Sequence, residues 1–324
     1  MLIARPAEAQ PTTLDLSTGH VVAPQGTVWF DLIDPTDVEH AYVQKVCGVR
    51  VPSRSDLDEI ESSSRSYREN GTLYLSTPLL RREGGQAFAS PLGIVVSEHV
   101  LVTIRYAEYP SFDTYAGAVA VERSPLQPDT LLVGLLEVIV DRLADVLEIV
   151  GAHLDEVSTR IFHTDEQDRS KRADERLRGL LKGIGRQGDT VSLLRSSLLG
   201  LSRMVLFVDG TLGTGSDKTL HARLKTIGRD LQSLTEYDSQ ITSKVQFLLD
   251  ATLGLINIEQ NNGIRILTVV SLIGIPPTLI ASIYGMNFKN IPELSWSFGY
   301  WYALLLMLAS VVLPLAWFRR LGWI

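Results

Sequence analysis

The sequence predicts an α/β cytosolic domain, then long stalk helices, then a two-helix transmembrane hairpin. Three observations carry this reading. Short β-rich runs separated by turn signals fill the first part of the chain. Nine apolar residues from Leu132 to Ile161 recur at helical spacing. Two long stretches near the C-terminus hold no charged residue at all. The boundaries expected are 1–125 for the α/β domain, 126–263 for the stalk, and 264–320 for the membrane part.

The α/β domain rests on four strands read from β-branched and aromatic runs: Thr27–Ile33, Thr72–Ser76, Leu92–Val96 and Val100–Ile104. Asp34, Pro35 and Thr36 form a helix start, with Asp37 and Glu39 in the first turn. Ser55 to Ser63 carries Asp56, Asp58, Glu59 and Glu61 and predicts a short acid-rich helix. Asn70-Gly71 and Gly84-Gly85 mark turns. Nothing in this region resembles a catalytic constellation.

Ser124 to Asp129, with Pro125 and Pro128, breaks the chain, and its character then changes. Leu132, Leu135, Ile139, Leu143, Val146, Val150, Leu154, Val157 and Ile161 recur every three or four residues, averaging about 3.6, which predicts one long amphipathic helix. A second helix is expected from about Asp168 to Phe207, and a third from Lys218 straight into the membrane. More than 50 such residues would span over roughly 75 Å, a length typical of bundles and coiled coils, so self-association is expected. Asp129 to Asp168 holds ten acidic residues against two basic ones. That is either a solvated helix face or a surface that attracts hard divalent cations.

The membrane part is read from charge. No charged residue lies between Arg265 and Lys289, nor between Glu293 and Arg319. The apolar segments, about 266–284 and 300–318, each match a hydrocarbon core of roughly 30 Å as a helix. Arg265 precedes the first, Arg319 and Arg320 follow the second, and the loop 285–299 is neutral, so both termini are expected in the cytosol. Trp296, Tyr300, Trp301 and Tyr302 suit the outer interface, and Trp317 and Trp323 the inner one. A cleaved signal peptide is not expected, because Met1–Gln10 lacks an apolar core before Ala7-Glu8-Ala9.

Composition narrows the classes further. The 324 residues are 45% hydrophobic and 21% charged, with a mean hydropathy of +0.12. This is too apolar for a disordered chain. The net charge of −7 argues against a nucleic-acid binder. One cysteine, Cys47, excludes an internal disulfide framework or a thiolate zinc cluster. Gly183 to Gly188 matches GxGxxG inside a helical pattern with no strand before it, and Gly210 to Gly215 has P-loop spacing but Ser216 where lysine is required. No nucleotide partner is expected, and neither an enzyme nor an ATP-driven pump.

In the first span, Asn261, Ile264, Leu267, Thr268, Ser271, Ile275, Thr278 and Ser282 can share one broad face. In a lone hairpin such a stripe is packing glue. In a ring of copies it lines a pore, with polar rungs for a hydrated ion and apolar rungs as a dewetting gate. Pro276-Pro277 either kinks the span or frees carbonyls toward the pore.

Tyr284, Gly285, Met286, Asn287 and Phe288, followed by Ile291 to Leu294 and Trp296 to Tyr300, resemble the signature of the CorA family of magnesium and cobalt transporters. Gly254 to Asn261, Pro276 to Leu279 and Val28 to Pro35 are similar to the bacterial CorA pattern, and the likeness runs from about residue 20 to the end. The resemblance implies a homopentameric, CorA-like funnel in a bacterial inner membrane, surrounded by lipid. It passes Mg2+ and Co2+ inward, with Gly285, Met286 and Asn287 as selectivity filter. Ile264 and Leu267 would then be the hydrophobic gate, with Asn261 and Thr278 as polar rungs. It further implies that cytosolic Mg2+ held by carboxylates closes the pore; Asp230, Asp238 and Asp250 are nominated. Many relatives carry an acid directly after GMNF, where this chain has Lys289, so cation capture at the mouth shifts to Glu293. Two alternatives stand beside this reading: a ZntB-like Zn2+ transporter of the same superfamily, and a membrane-tethered interaction protein.

Overall fold

The computed structural model describes residues 1–7, 10–16, 21–59, 61, 65–121, 127–163, 173–211, 218–287 and 291–323. The chain forms two compact units: residues 1–164 with 182–249, and residues 165–181 with 250–324.

The first unit is built on seven strands: β1 (Leu2–Pro6), β2 (Thr12–Leu14), β3 (Thr27–Ile33), β4 (Ser66–Glu69), β5 (Thr72–Glu83), β6 (Gln86–Val96) and β7 (Leu101–Arg105). Their order in the sheet is β2-β1-β3-β7-β6-β5-β4. Every pair is antiparallel except β3 with β7, which run parallel. The helix α1 (Asp37–Cys47) leaves β3 through Thr36, whose hydroxyl and Glu39 form a capping box. Gly48 ends it in the left-handed region at φ 67°, which only glycine enters without strain.

Three sequence expectations are revised here. β1 and β2 were not expected. β5 and β6 run well past the predicted ends, and Pro78 and Pro91 sit directly opposite each other in the register. Leu80 N–H donates away from β6, to the Ser197 hydroxyl at 3.0 Å. Antiparallel pairs alternate in bonding, so Pro78, two residues earlier, also stands at a non-bonded position, and its missing N–H costs no ladder bond. Of the acid-rich helix expected over 55–63, the described residues show one turn, α2 (Arg54–Leu57); residues 60, 62 and 63 lie outside the described residues. Its acids have local work instead: Asp56 closes a capping box with Ser53 and pairs with Arg50 at 3.0 Å.

A buried polar network crosses the sheet at its parallel pair. Arg105 donates to Asp31 through Nε at 3.1 Å and a terminal nitrogen at 2.9 Å. The Thr103 hydroxyl donates to the same carboxylate at 2.7 Å and accepts from Trp29 Nε1 at 3.0 Å. Arg105 also lies over the Phe112 ring, 4.7 Å from its centroid.

Helices follow: α3 (Pro110–Val121), α4 (Pro128–Phe162), α5 (Ala173–Thr211) and α6 (Lys218–Tyr284). All nine residues of the predicted apolar series on α4 are buried. The Ser124–Asp129 breaker and the start of the second predicted helix fall partly outside the described residues. Arg223 on α6 clasps Glu137 on α4 with two bonds of 2.8 and 2.6 Å, and Lys244 meets Asp155 at 2.5 Å. A short 3-10 turn (Pro292–Ser295) and α7 (Gly299–Arg320) close the chain.

Among the described residues, three helices are long and apolar enough to cross a membrane: Glu175–Thr211 within α5, α6 and α7. Burial separates them. In the most apolar stretch of each, 44% of residues are buried in α5, but only 6% in α6 and 11% in α7. The apolar residues of α5 thus serve the core, whereas those of α6 and α7 are left bare as lipid or further copies require.

Candidate functional site

The last third of α6 is helical without interruption through Pro276 and Pro277. The two prolines deprive the carbonyls of Leu272 and Ile273 of their usual donors four residues on. At about 100° per residue, Asn261, Ile264, Leu267, Thr268, Ser271, Ile275, Thr278 and Ser282 fall within an arc of about 120°. On the opposite side Val269 is buried and Ile273 and Ile280 are half-buried, while Ile266 and Val270 are 65% and 62% exposed. Val269 is 9% exposed, against 62% for Ile264, 67% for Leu267 and 64% for Ile275. Asn261, Thr278 and Ser282 are exposed as well, and Thr268 and Ser271 half-buried. The stripe is one face of a helix that the chain leaves bare on nearly every side in this stretch.

Two hydroxyls on the stripe are oriented by the helix. Thr268 donates to the Ile264 carbonyl at 2.8 Å and Thr278 to the Gly274 carbonyl at 2.7 Å. Each hydroxyl proton is held within the helix, so the oxygen faces outward as an acceptor.

Beyond Tyr284 the chain leaves the helix at the three motif residues. Gly285 N–H donates to Ala281 at 2.9 Å and Met286 N–H to Ile283 at 3.2 Å, which closes the last turn. Gly285, Met286 and Asn287 are all exposed. A helix C-terminus carries about half a negative charge from its aligned peptide dipoles, so this end attracts cations. Lys289 lies outside the described residues. Glu293 is half-buried in the 3-10 turn, and its carbonyl accepts from Trp296 N–H at 3.3 Å. Gly299 starts α7 so close to that carbonyl that a Cβ on it would collide with the Glu293 oxygen. This contact was not foreseen, because the only local signal is a glycine in an aromatic run.

The nominated regulatory acids divide. Asp238 is fully buried and engaged by Arg195, whose Nε donates to one carboxylate oxygen at 2.8 Å. Within the chain the carboxylate is thus held by Arg195, which lies 43 residues away on α5 and gives no local signal. The other Asp238 oxygen is buried without a partner among the described residues. Burial raises the pKa of its carboxyl, and the hydrogen bond and charge of Arg195 only partly oppose it. Asp230 and Asp250 are exposed on α6. Burial raises the pKa of Asp141 on α4 too, helped by the charges of Glu137, Asp230 and Asp145, so these acids share one negative field. Among the described residues no group of three or more His, Cys, Asp or Glu is placed to hold a metal ion within one chain.

Comparison with known proteins agrees with this arrangement. Residues 24–320 match the family described as CorA-like Mg2+ transporter protein. The magnesium transport protein CorA of Haemophilus influenzae is 34% identical over 299 residues, covering 92% of each chain. The complete structure of the CorA magnesium transporter from Methanocaldococcus jannaschii superposes with a TM-score of 0.75 at 21% identity, over 100% of this chain and 99% of that one. The ZntB cytoplasmic domain from Vibrio parahaemolyticus superposes at 0.51 with 12% identity, over 79% of this chain and 97% of that domain. The match over nearly the whole chain leads to one conclusion: the chain belongs to the CorA-like Mg2+ transporter family.

Proposed function

We propose that this chain is one subunit of a homo-oligomeric channel of the inner membrane that passes Mg2+, and also Co2+, into the cytosol. The single observation that carries the reading is the stripe of Asn261, Thr268, Ser271, Thr278 and Ser282 along one face of α6, ending in Gly285, Met286 and Asn287. One hairpin cannot enclose a path, so the stripe acquires a function only when copies face one another; five copies is the expected number.

The chemistry suits a hydrated ion. Mg2+ gives up its octahedral water shell reluctantly. Rings of Asn287 amides and of threonine oxygens accept hydrogen bonds from that shell without stripping it. The C-terminal dipole of α6 and Glu293 concentrate cations at the outer mouth. Rings of Ile264, Leu267 and Ile275 exclude water when the pore narrows, which closes it. A divalent ion gains about 4.6 kcal/mol per 100 mV of inside-negative potential, so influx needs no nucleotide. Both termini lie in the cytosol, as the flanking Arg265, Arg319 and Arg320 favour. Cytosolic Mg2+ closes the pore by binding acids including Asp230 and Asp250, where it relieves their mutual repulsion. The role is transport, not catalysis. The zinc reading has weaker support, since the ZntB likeness is one of fold at 12% identity.

The test is Mg2+ flux into proteoliposomes with and without Asn287→Ala, with Zn2+ as competitor. Loss of Mg2+ flux in the variant supports the filter. Vesicles silent to Mg2+ that pass Zn2+ assign the zinc branch, and a folded oligomer passing neither restores the tether reading.

A further inference from the structure

Within the first unit, α6 packs through a seam with heptad spacing. Leu224, Leu231, Asp238 and Val245 recur along it, Ile227 and Ile241 lie between them, and all six are buried. A side chain on Gly188 of α5 would meet Val245, and one on Gly151 of α4 would meet Tyr237 and Ile241, so the seam faces both helices. Five of the six are aliphatic. Sliding α6 by one turn would therefore exchange one such side chain for another at little cost. Asp238 breaks that sameness, because one turn away its charge would lose Arg195 of α5.

The pair is poorly built as a stabiliser. Asp238 is 0% exposed, whereas the Arg195 side chain is 42% exposed. One carboxylate oxygen accepts from Arg195 Nε at 2.8 Å, and the other has no partner among the described residues. An Arg195 terminal nitrogen donates to the Thr242 hydroxyl over a long 3.4 Å. A cavity of ≈ 190 Å³ beside Arg195, Thr242 and Val245 leaves the seam unfilled nearby. A half-satisfied buried ion pair gains little over apolar packing, and its best-attested use is to fix helix register.

We propose that the Arg195–Asp238 pair is a register pin: it seats α6 against α5 in one of two neighbouring positions, and gating moves α6 between them. α6 is one helix from Lys218 to Tyr284, so a change of seat carries the stripe with it. The gating part rests on the channel reading above.

The test is pulsed electron-spin distance measurement between labels on Ser196→Cys of α5 and Ser239→Cys of α6, both at exposed positions, with Cys47→Ser. Labelled subunits are diluted with unlabelled ones. In saturating Mg2+ the native pair is expected to give one distance. Arg195→Met combined with Asp238→Leu is expected to unfold no lower than native, yet to give a second population up to one turn away, about 5.4 Å. In proteoliposomes the internal Mg2+ that half-closes flux should shift about tenfold. Asp238→Asn, which keeps the shape, should do the same in smaller measure and so stands in for a double variant that fails to fold. A single native distance in both variants, or native gating in both, overturns the pin. A native protein that passes no divalent ion refutes the channel reading instead, and the distances still decide the register.

Discussion

Asp31→Ala tests whether the parallel β3–β7 pair depends on its buried ion pair. The Asp31 and Arg105 side chains are 0% and 2% exposed. The carboxylate accepts three hydrogen bonds, two from Arg105 and one from Thr103. Removing it leaves a guanidinium in the core with only the Ala107 carbonyl, at 3.2 Å, and the face of Phe112 for company. Breaking a buried pair from one side costs about 3–5 kcal/mol, because the remaining charge is uncompensated. For a unit of this size that corresponds to a drop of about 6–20 °C in the unfolding midpoint. The assay is thermal unfolding in detergent followed by tryptophan emission. Trp29 is the only tryptophan before residue 296, and its Nε1–H joins the same network through Thr103. Asp31→Leu combined with Arg105→Met, which removes both charges, should recover most of the loss. Flux per folded channel should be unchanged. A single variant within about 0.5 kcal/mol of native, or a double variant no better than the single, would refute the reasoning.

Thr278→Val removes one outward oxygen per copy while keeping the shape. A loss of about 1 kcal/mol per hydrogen bond, repeated around a ring, should lower Mg2+ flux at least tenfold at unchanged oligomer size, measured in proteoliposomes. Gly299→Ala places a methyl against the Glu293 carbonyl and should displace the turn that holds Glu293. Its expected signature is weaker Mg2+ half-saturation with the oligomer intact, and an unaltered saturation curve would count against it. Asp238→Asn tests linkage. Burial raises the native carboxyl's pKa, so the stability it contributes is full below the ordinary carboxylate range and is lost as pH rises through the raised value. The variant, which does not titrate, should therefore gain on the native protein in thermal unfolding as pH rises above the ordinary carboxylate range; a gain in the opposite direction would mean that the Arg195 pair dominates.

Much of this was legible because it is periodic or bare of charge. The α4 series could be read directly, since a 3.6-residue repeat is the imprint of one covered face. The stripe rests on the same helical spacing, since at about 100° per residue its eight members fall on one face. What escaped has non-local causes. β1 is five residues ending in Pro6, and it is a strand because β2 and β3 flank it on either side. The extension of β5 past Pro78 depends on a bonding parity set by its partner strand. Asp238 looked like any stalk acid, and only α5 passing alongside turns it into a buried partner of Arg195.

The back-bonded threonines carry one last consequence. A halide or phosphate entering the span would need hydrogens pointed at it, and the Thr268 and Thr278 hydroxyl hydrogens are turned inward to Ile264 and Gly274. In the proposed pore those rungs would reject anions by the direction of a dipole alone, with no fixed charge that salt could screen or acid could neutralise.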